Sequence, residues 1–505
     1  MKPTKNTYGQ TLRSSSIAGG AQGLNYIIGL IRVKLVAVLI GPSGVGLIGL
    51  YTSAIGLVGV VSALGVGTSA VREIVRANSR DDPEEVARTV IVLRRVCWAT
   101  GLAGWALTIL FCVPLSKLMT GTSGHAKAIA LLGSILLLRE IRTGQLALLQ
   151  GLRRIGDLAR AEVLGAFVGS IVAVLVYFAL RADGIVPGMM ATTLIGLTAS
   201  WWFARRIKVK PLAVSLKQTL SGFRQLVGLG MAFMWGGVVG AALDMFTRTL
   251  ITRKFGIEAA GVYQAAWALS SVFASFVLSA MAADFYPRLT AAIHDRKQAT
   301  LIVNEQTEIG VLLALPGLLG ALAFAPLVIK LLYTSQFMPA ADLLPWMALG
   351  VFGQVVSWPL GFVQAASGAA RWFVATETIF SSVWALLVYV MVQYSGIVGA
   401  GYAFAAVYAL YIPGMLWIAR RMIDFSWSWE TRKLLFIAAI FIIVEFGTLY
   451  LPNRKISVAA GACLTLASAV FCLGGLARRL DQDHSLVKFI IVMPFGRYMI
   501  KWWKI

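Results

Sequence analysis

Long apolar runs separated by short polar segments recur along the whole chain. An α-helix needs roughly 20 apolar residues to cross a hydrocarbon core. Runs of that kind lie at about 15–40, 44–70, 91–114, 126–150, 161–180 and 184–204. Others follow at about 226–252, 261–286, 303–330, 341–367, 374–394 and 398–419, and two more at about 434–451 and 456–477. A membrane β-barrel would show short segments of alternating polarity instead, and a helix satisfies its backbone hydrogen bonds within lipid. The pattern predicts an all-α polytopic membrane protein of about fourteen helices.

Composition agrees with this and removes the soluble alternatives. Of 505 residues, 58% are hydrophobic and 13% charged, where soluble domains carry about 25% charged residues. A water-soluble enzyme is excluded, as is a large extramembrane domain. The net charge is +23, from 45 Lys and Arg against 22 Asp and Glu. The N-terminus, alternate loops and C-terminal tail hold 30 of these cations, the intervening loops 8. By the positive-inside rule both termini lie in the cytoplasm, with an even number of helices. Most of the basic excess is therefore topological, and nucleic acid is not an expected partner. Lys2, Lys5 and Arg13 precede a long spanning run with no small-residue cleavage site, so no cleavable signal peptide is expected.

An internal repeat is visible. Gly41-Pro-Ser-Gly44-Val45-Gly46 resembles Gly256-Ile-Glu-Ala-Ala-Gly261-Val262, and Gln150 to Glu162 resembles Gln364 to Glu377, at offsets of 214–217 residues. Six helices separate the copies, so both have the same orientation and are related by an axis along the membrane normal, as in some transporters. The expected organisation is a six-helix lobe over 1–223, a second over 224–425, and a segment 426–505 of two further helices with a basic interfacial tail. A substrate path between the repeats is the corollary.

Several chemistries drop out. Gly44-Val-Gly46-Leu-Ile-Gly49 fits the dinucleotide GxGxxG pattern, but a hydrophobic helix precedes it and Ser69 stands where the acidic residue belongs. No Walker A sequence is present. Cys97, Cys112, Cys463 and Cys472 lie in apolar runs without metal or disulfide spacing, and the histidines are His125, His294 and His484, in loops or the tail. Neither a metal site nor a catalytic centre is expected.

The charges inside the spans carry the functional signal, because a charge near the bilayer centre is costly and faces a bundle interior or a wet cavity. Arg94 and Arg95 are near a helix end and read as snorkelling. Gln22, Asn25, Gly29 and Arg32 share one helix face, a polar stripe that a lumen would solvate. Arg32 and Arg248 stand nine and eight residues before the repeated glycines Gly41 and Gly256, at near-equivalent positions. Arg139, Glu140 and Arg142 lie mid-span, with Gln145 on the same face as Arg139 and Arg142, and Lys34 is near the outer end of the first span. Arginines converging on one cavity would suit a diphosphate, since guanidinium binds phosphate oxygens in bidentate fashion. An alternative for Arg248 is local neutralisation by Asp244, one turn earlier. Tyr263 and Trp267 are candidates to line the lumen against sugar rings, and Asp244, Glu140, Asp284 and Glu377 are candidates for coupling to a proton or sodium gradient, with Glu445 outside the repeat. No bound cofactor is expected.

Val33-Lys34-Leu35-Val36-Ala37 followed by Gly41-Pro42-Ser43-Gly44-Val45-Gly46-Leu47 resembles the first-helix signature of the Wzx-type O-antigen and enterobacterial common antigen translocases. These form part of the polysaccharide transporter family in the multidrug/oligosaccharidyl-lipid/polysaccharide (MOP) exporter superfamily. Gly261 through Pro287-Arg288-Leu289, and Leu331 to Phe373, are similar to the same family's second half, so the resemblance covers roughly 15–425. It implies two V-shaped lobes about a cationic cavity, alternating access, and an undecaprenyl-diphosphate-linked oligosaccharide (an O-antigen or exopolysaccharide repeat unit) moved across the bacterial inner membrane. Membrane lipids, and a glycan polymerase with its chain-length regulator, are the implied partners. Lys34 and Gly41–Gly46 match the family pattern; Arg32, Arg142 and Arg248 come from their positions here. The two helices after 425 depart from the usual twelve and equal the fourteen of lipid II flippases, where the extra pair forms a lipid groove. The alternatives are a cation-coupled multidrug antiporter of the same superfamily, which calls for acids at the cavity, and a membrane glycan polymerase or ligase, which calls for a large outer loop.

Overall fold

The computed structural model describes residues 5–80, 82–228, 231–449 and 451–479. The tail beyond Arg479, with His484, lies outside the described residues, as do the side chains of Lys5, Arg13 and Asp284. Among the described residues all regular structure is helical: α1 (Lys5–Ala63), α2 (Val66–Ser79), α3 (Pro83–Thr120), α4 (Ala126–Leu132), α5 (Ser134–Gly151), α6 (Ile155–Leu180), α7 (Ile185–Ala204) and α8 (Leu216–Gly228). Then come α9 (Met231–Phe255), α10 (Ile257–Ala292), α11 (Arg296–Leu332), α12 (Ala340–Ala366), α13 (Ala370–Ser395), α14 (Val398–Ile423), α15 (Trp429–Thr448) and α16 (Arg454–Arg479).

Eight helical stretches among the described residues are long and apolar enough to cross a membrane. Two of them, Gly19–Ala63 and Ile155–Ala204, each hold a pair of spans. Within α1 the break is Gly41 (φ 63°, ψ −171°), followed by Pro42, whose fixed φ suits the first position of a helix. Before Gly41 the helix runs beside α6, with Leu39 accepting a hydrogen bond from Arg181. After it the helix runs beside α4 and α5, where Tyr51 bonds to His125 at 2.8 Å and Gly59 faces Arg139. α6 returns antiparallel to α5, so the chain doubles back at Gly41. α5 and α15 are less apolar, each with at least three charged residues in any 18-residue window. Among the described residues, counting α1 as two helices and α4 with α5 as one, and leaving out the short α2 and α8, gives the fourteen that the sequence predicts.

The expected second span, 44–70, is cut short. Leu64 and Gly65 both adopt positive φ, and the chain restarts as α2, an amphipathic helix. α2 and α8 lay apolar faces on α3 and α5, where Val66, Ala70, Ile74, Leu93, Leu148 and Val214 form a buried cluster. α3 starts on Asp82, whose carboxylate accepts from the backbone N–H of Glu84 and Glu85 at 2.8 and 3.2 Å, with Pro83 at the first position. α6 and α7 meet along a seam of small residues: a Cβ on Gly165 would lie 3.1 Å from the Gly196 Cα, and Gly188 makes room for the Tyr177 ring.

The repeat is written in the backbone. Positive φ recurs at Gly41 and Gly256, Arg153 and Gly368, and Arg181 and Gly396, each pair 215 residues apart. The first copy carries arginine at two positions where the second carries glycine, so the same turn is more strained there. Gly396 (φ 64°, ψ −150°) has open space around it, so only its backbone resists a side chain. Gly396→Ala is expected to cost about 1–3 kcal/mol, read as a lowered melting temperature in detergent; an unchanged melt would mean that this turn relaxes freely.

The chain divides into two compact units, residues 1–264 with 332–336, and residues 265–331 with 337–505. α9 belongs to the first because it packs along α1 and α3. The compact units thus divide near 264, whereas the sequence placed the expected lobe boundary at 223/224. In the second unit, Leu315, Leu318 and Leu319 of α11 pack with Val355 of α12, Ala438 of α15 and Cys472 of α16, which places the two additional helices directly on the repeat.

Candidate functional site

In the first unit α5 presents its charged residues at mid-span. Glu140 is buried and Arg139 lies beside it, Nε to Oε1 3.8 Å. The Arg139 guanidinium occupies space left by Gly59, where a Cβ would stand 2.6 Å from Nη2. Arg142 points toward α6 and α7. Gly196 gives it room, since a Cβ there would come 3.3 Å from the guanidinium carbon. Glu162 of α6 lies within reach of its field, with no ion pair between them. The Nε of Arg142 is buried and has no hydrogen-bond partner. One turn on, Gln145 accepts from Ser200 of α7 at 2.5 Å, so it ties two helices together.

Arg248 is in a different condition. It is 5% exposed, ion-paired to Asp244, and donates from Nε and Nη2 to Oε1 of Gln264 at 3.0 and 2.8 Å. Gly49 leaves the space that Gln264 fills, and the Tyr263 ring, itself buried, lies 5.8 Å from the guanidinium. The local neutralisation by Asp244 is therefore present, with Gln264 added. Next to this cluster two backbones touch: a Cβ on Gly46 would fall on the Ile257 carbonyl, and one on Gly261 would fall on the Pro42 carbonyl.

Along α1, Lys34 donates to the Tyr333 carbonyl and Arg32 lies near Tyr177 of α6. Asn25 has a buried Oδ1 without a partner and Gln22 is exposed, so the stripe stays polar along that face. Arg32 and Arg142 are not one clamp. Their neighbours on α6, Tyr177 and Glu162, stand fifteen residues apart, about 22 Å at 1.5 Å per residue. The cations of this unit sit at successive depths.

In the second unit Trp267 packs against Phe404 and Trp384, with ring centroids 5.5 and 6.4 Å apart, and Ser270 keeps a buried hydroxyl without a partner. Glu377 stands beside Tyr408 and Tyr411. The repeat motif that marked Glu162 and Glu377 in the sequence thus places both acids among functional groups in the membrane, and Glu162 could have been found by that signal. Gln264 and Ser200 carried none. Glu445 is fully buried, its carboxylate against Gly461 of α16, with no hydrogen-bond partner on either oxygen.

Solved structures share this helical fold. A lipid II flippase, MurJ, in an inward closed conformation superposes with a TM-score of 0.68 over 90% of this chain and 98% of its own, at 14% identity. An inward-facing multidrug resistance MATE family transporter gives 0.63 over 80% and 94%, at 17% identity. The chain belongs to the family described as polysaccharide biosynthesis protein, which matches residues 35–342. Its relatives include the lipid III flippase of Escherichia coli (strain K12), 22% identical over 76% of this chain and 92% of the relative. A probable low-salt glycan biosynthesis flippase, Agl15, of Haloferax volcanii is 23% identical over 74% and 75%.

Proposed function

We propose that the chain is a flippase for a glycan carried on a polyprenyl diphosphate, undecaprenyl diphosphate in a bacterial inner membrane. It moves the O-antigen or exopolysaccharide repeat unit from the cytoplasmic to the outer leaflet by alternating access of its two repeats, with both termini in the cytoplasm. It is a transporter, and it works on lipid-linked sugar within membrane lipid. A glycan polymerase with its chain-length regulator takes the product on the outer side.

The observation that carries this reading is Arg142. A guanidinium at mid-span, with a buried unanswered Nε and a glycine holding space open beside it, has donors to offer a phosphate. Arg139 and Arg32 supply further cations at other depths, so the diphosphate is handed along rather than gripped once. Glu162 faces Arg142 and neutralises it in part when no phosphate is there, which keeps release possible. Arg248 and Lys34, engaged with Asp244, Gln264 and the Tyr333 carbonyl, hold the segments that flank this path. The acids Glu140, Asp244, Asp284 and Glu377 are the groups through which an ion gradient would act. A multidrug antiporter would place acids, not arginines, at the unanswered position.

Losing a charge-assisted bond is worth about 1.5–3 kcal/mol, so Arg142→Ala is expected to lower export about ten- to a hundredfold. Arg142→Lys keeps the charge but not the fork and should fall between. Surface glycan in a translocase-deficient strain, with protein levels measured alongside, checks this. Full export by the Ala and Lys variants of both Arg142 and Arg32, at normal protein levels, would remove the diphosphate reading. Reconstituted flipping with and without a proton or sodium gradient tests coupling, and unchanged rates would exclude it.

A further inference from the structure

A cleft opens in the first unit among α3, α5 and α7, with Ile141, Gly144, Gln145 and Leu148 of α5 along one side. Its volume is about 350 Å³, more than ten times the roughly 30 Å³ that one water occupies in the liquid. Leu93, Cys97 and Leu148 form an apolar floor, and Gly144 belongs there because a Cβ would come 2.9 Å from the Cys97 sulfur. Trp98 and Trp201, each 51% exposed, flank the opening. Arg94 and Arg205 complete the lining, and no Asp or Glu contributes to it.

The two arginines have nothing to neutralise them. Among the described residues neither forms an ion pair. Arg205 lies instead over the Trp202 and Trp201 rings, 3.7 and 4.8 Å from their centroids, which fixes the direction of its guanidinium. Neighbouring Arg95 behaves differently: it spends its donors on the Val214 carbonyl and Thr219 hydroxyl at 2.8 Å. Snorkelling brings an arginine head to the interface, but it does not supply an apolar cleft beneath two heads and a tryptophan on either side.

We propose that this cleft is a binding site for an anionic phospholipid of the cytoplasmic leaflet, its phosphate on Arg94 and Arg205 and an acyl chain against Trp98, Leu148 and Trp201. The charge-based orientation puts these helix ends in the cytoplasmic leaflet, where anionic headgroups are met and basic pockets between spanning helices recognise them. The apolar floor of the cleft suits an acyl chain rather than a sugar, so its occupant is a bulk lipid rather than the transported molecule. Arg94 and Arg205 have no part in the proposed transport path, although Gln145, one turn from Arg142, also lines the cleft.

Native mass spectrometry of the full chain, released from neutral detergent with phosphatidylglycerol or phosphatidylcholine added, tests it. The wild-type chain should retain one phosphatidylglycerol at least fivefold more than phosphatidylcholine. The Arg94→Gln/Arg205→Gln pair should lose that preference, while the Arg94→Lys/Arg205→Lys pair keeps part of it. Phosphatidylglycerol should also raise the melting temperature of the wild type and not of the glutamine pair. Equal retention of both lipids by the wild type, or an undiminished preference in the glutamine pair, overturns the proposal. If the double variant does not fold, the single glutamine variants and the wild-type lipid comparison decide in the same way.

Discussion

Gly261→Ala is expected to destabilise the chain by about 3 kcal/mol, at the upper end of overpacking costs, and to impair export beyond any loss of protein. The added Cβ would fall on the Pro42 carbonyl oxygen, with the Pro42 carbon at 2.7 Å and the Gly46 nitrogen at 3.1 Å. These are backbone atoms, so no side chain can swing aside. Gly46 meets Ile257 and Gly261 in the same manner from the other side. Two glycines facing each other let two helix ends approach backbone to backbone, which is how small residues set helix contacts in membranes. Because one contact is lost in either variant, Gly46→Ala/Gly261→Ala should cost much less than the sum of the single changes. Gly240 on α9 has open space around it, and Gly240→Ala should melt like the wild type. Melting in detergent at one fixed scan rate checks the first part, and surface glycan normalised to protein level checks the second. If Gly261→Ala melts and exports like Gly240→Ala, the close approach does not form. Under the proposed alternating access, the larger side chain disfavours the state in which these helix ends meet, and export falls with the population of that state.

Glu308→Ala is expected to cost about 1.5–3 kcal/mol, the worth of hydrogen bonds to a charged group, because its partner Arg479 is exposed. Glu308 is 8% exposed and takes two donors of Arg479 on one oxygen, at 2.7 and 2.6 Å. Its other oxygen accepts from the Thr431 hydroxyl at 2.7 Å. One turn earlier, Asn304 accepts from the Ser428 backbone at 2.9 Å, donates to the Ser426 carbonyl at 3.1 Å, and has its Oδ1 2.9 Å from the Thr431 oxygen, whose single proton it shares with Glu308. Ser428 also caps α15 through the Thr431 N–H. One polar network therefore fastens α15 and α16 to α11. Glu308→Gln keeps an acceptor for Thr431 without the charge and should lose less. Glu308→Ala/Arg479→Ala should lose less than the two single changes together, since both remove the same ion pair. Melting reads the stability. Faster proteolysis in the linker at 424–428 reads the loosening of the two helices, and a variant that melts and resists protease like the wild type would show that the network does not bear on their docking.

Hydropathy alone located the long helices, with ends off by up to about ten residues, because a bilayer demands long apolar helices and little else has that length. It did not find the stop at Leu64 and Gly65 or the amphipathic α2, since the apolar run continues across the break and the turn lies in the backbone angles. The glycine repeat was legible as an approximate offset of 214–217 residues. The backbone shows why it is there: the same positive-φ turns recur 215 residues apart, even where arginine replaces glycine.

Candidate cations could be picked out one by one, because charge within a span is costly wherever it stands. Their condition could not. Lys34 finds the carbonyl of Tyr333, 299 positions along the chain, and Arg479 finds Glu308 across 171. Arg248 is answered by Gln264 across the break at Gly256. Arg142 keeps an unanswered Nε because Gly196, on another helix, leaves space beside it. The sequence by itself determined the number of helices, their repeat and the presence of intramembrane charge, all of which follow from local pattern and composition. Only the tertiary structure decided which charges are satisfied and which remain open, because a guanidinium is neutralised by whatever group the fold brings within a few ångströms, and helical periodicity relates a residue only to neighbours a turn or two away.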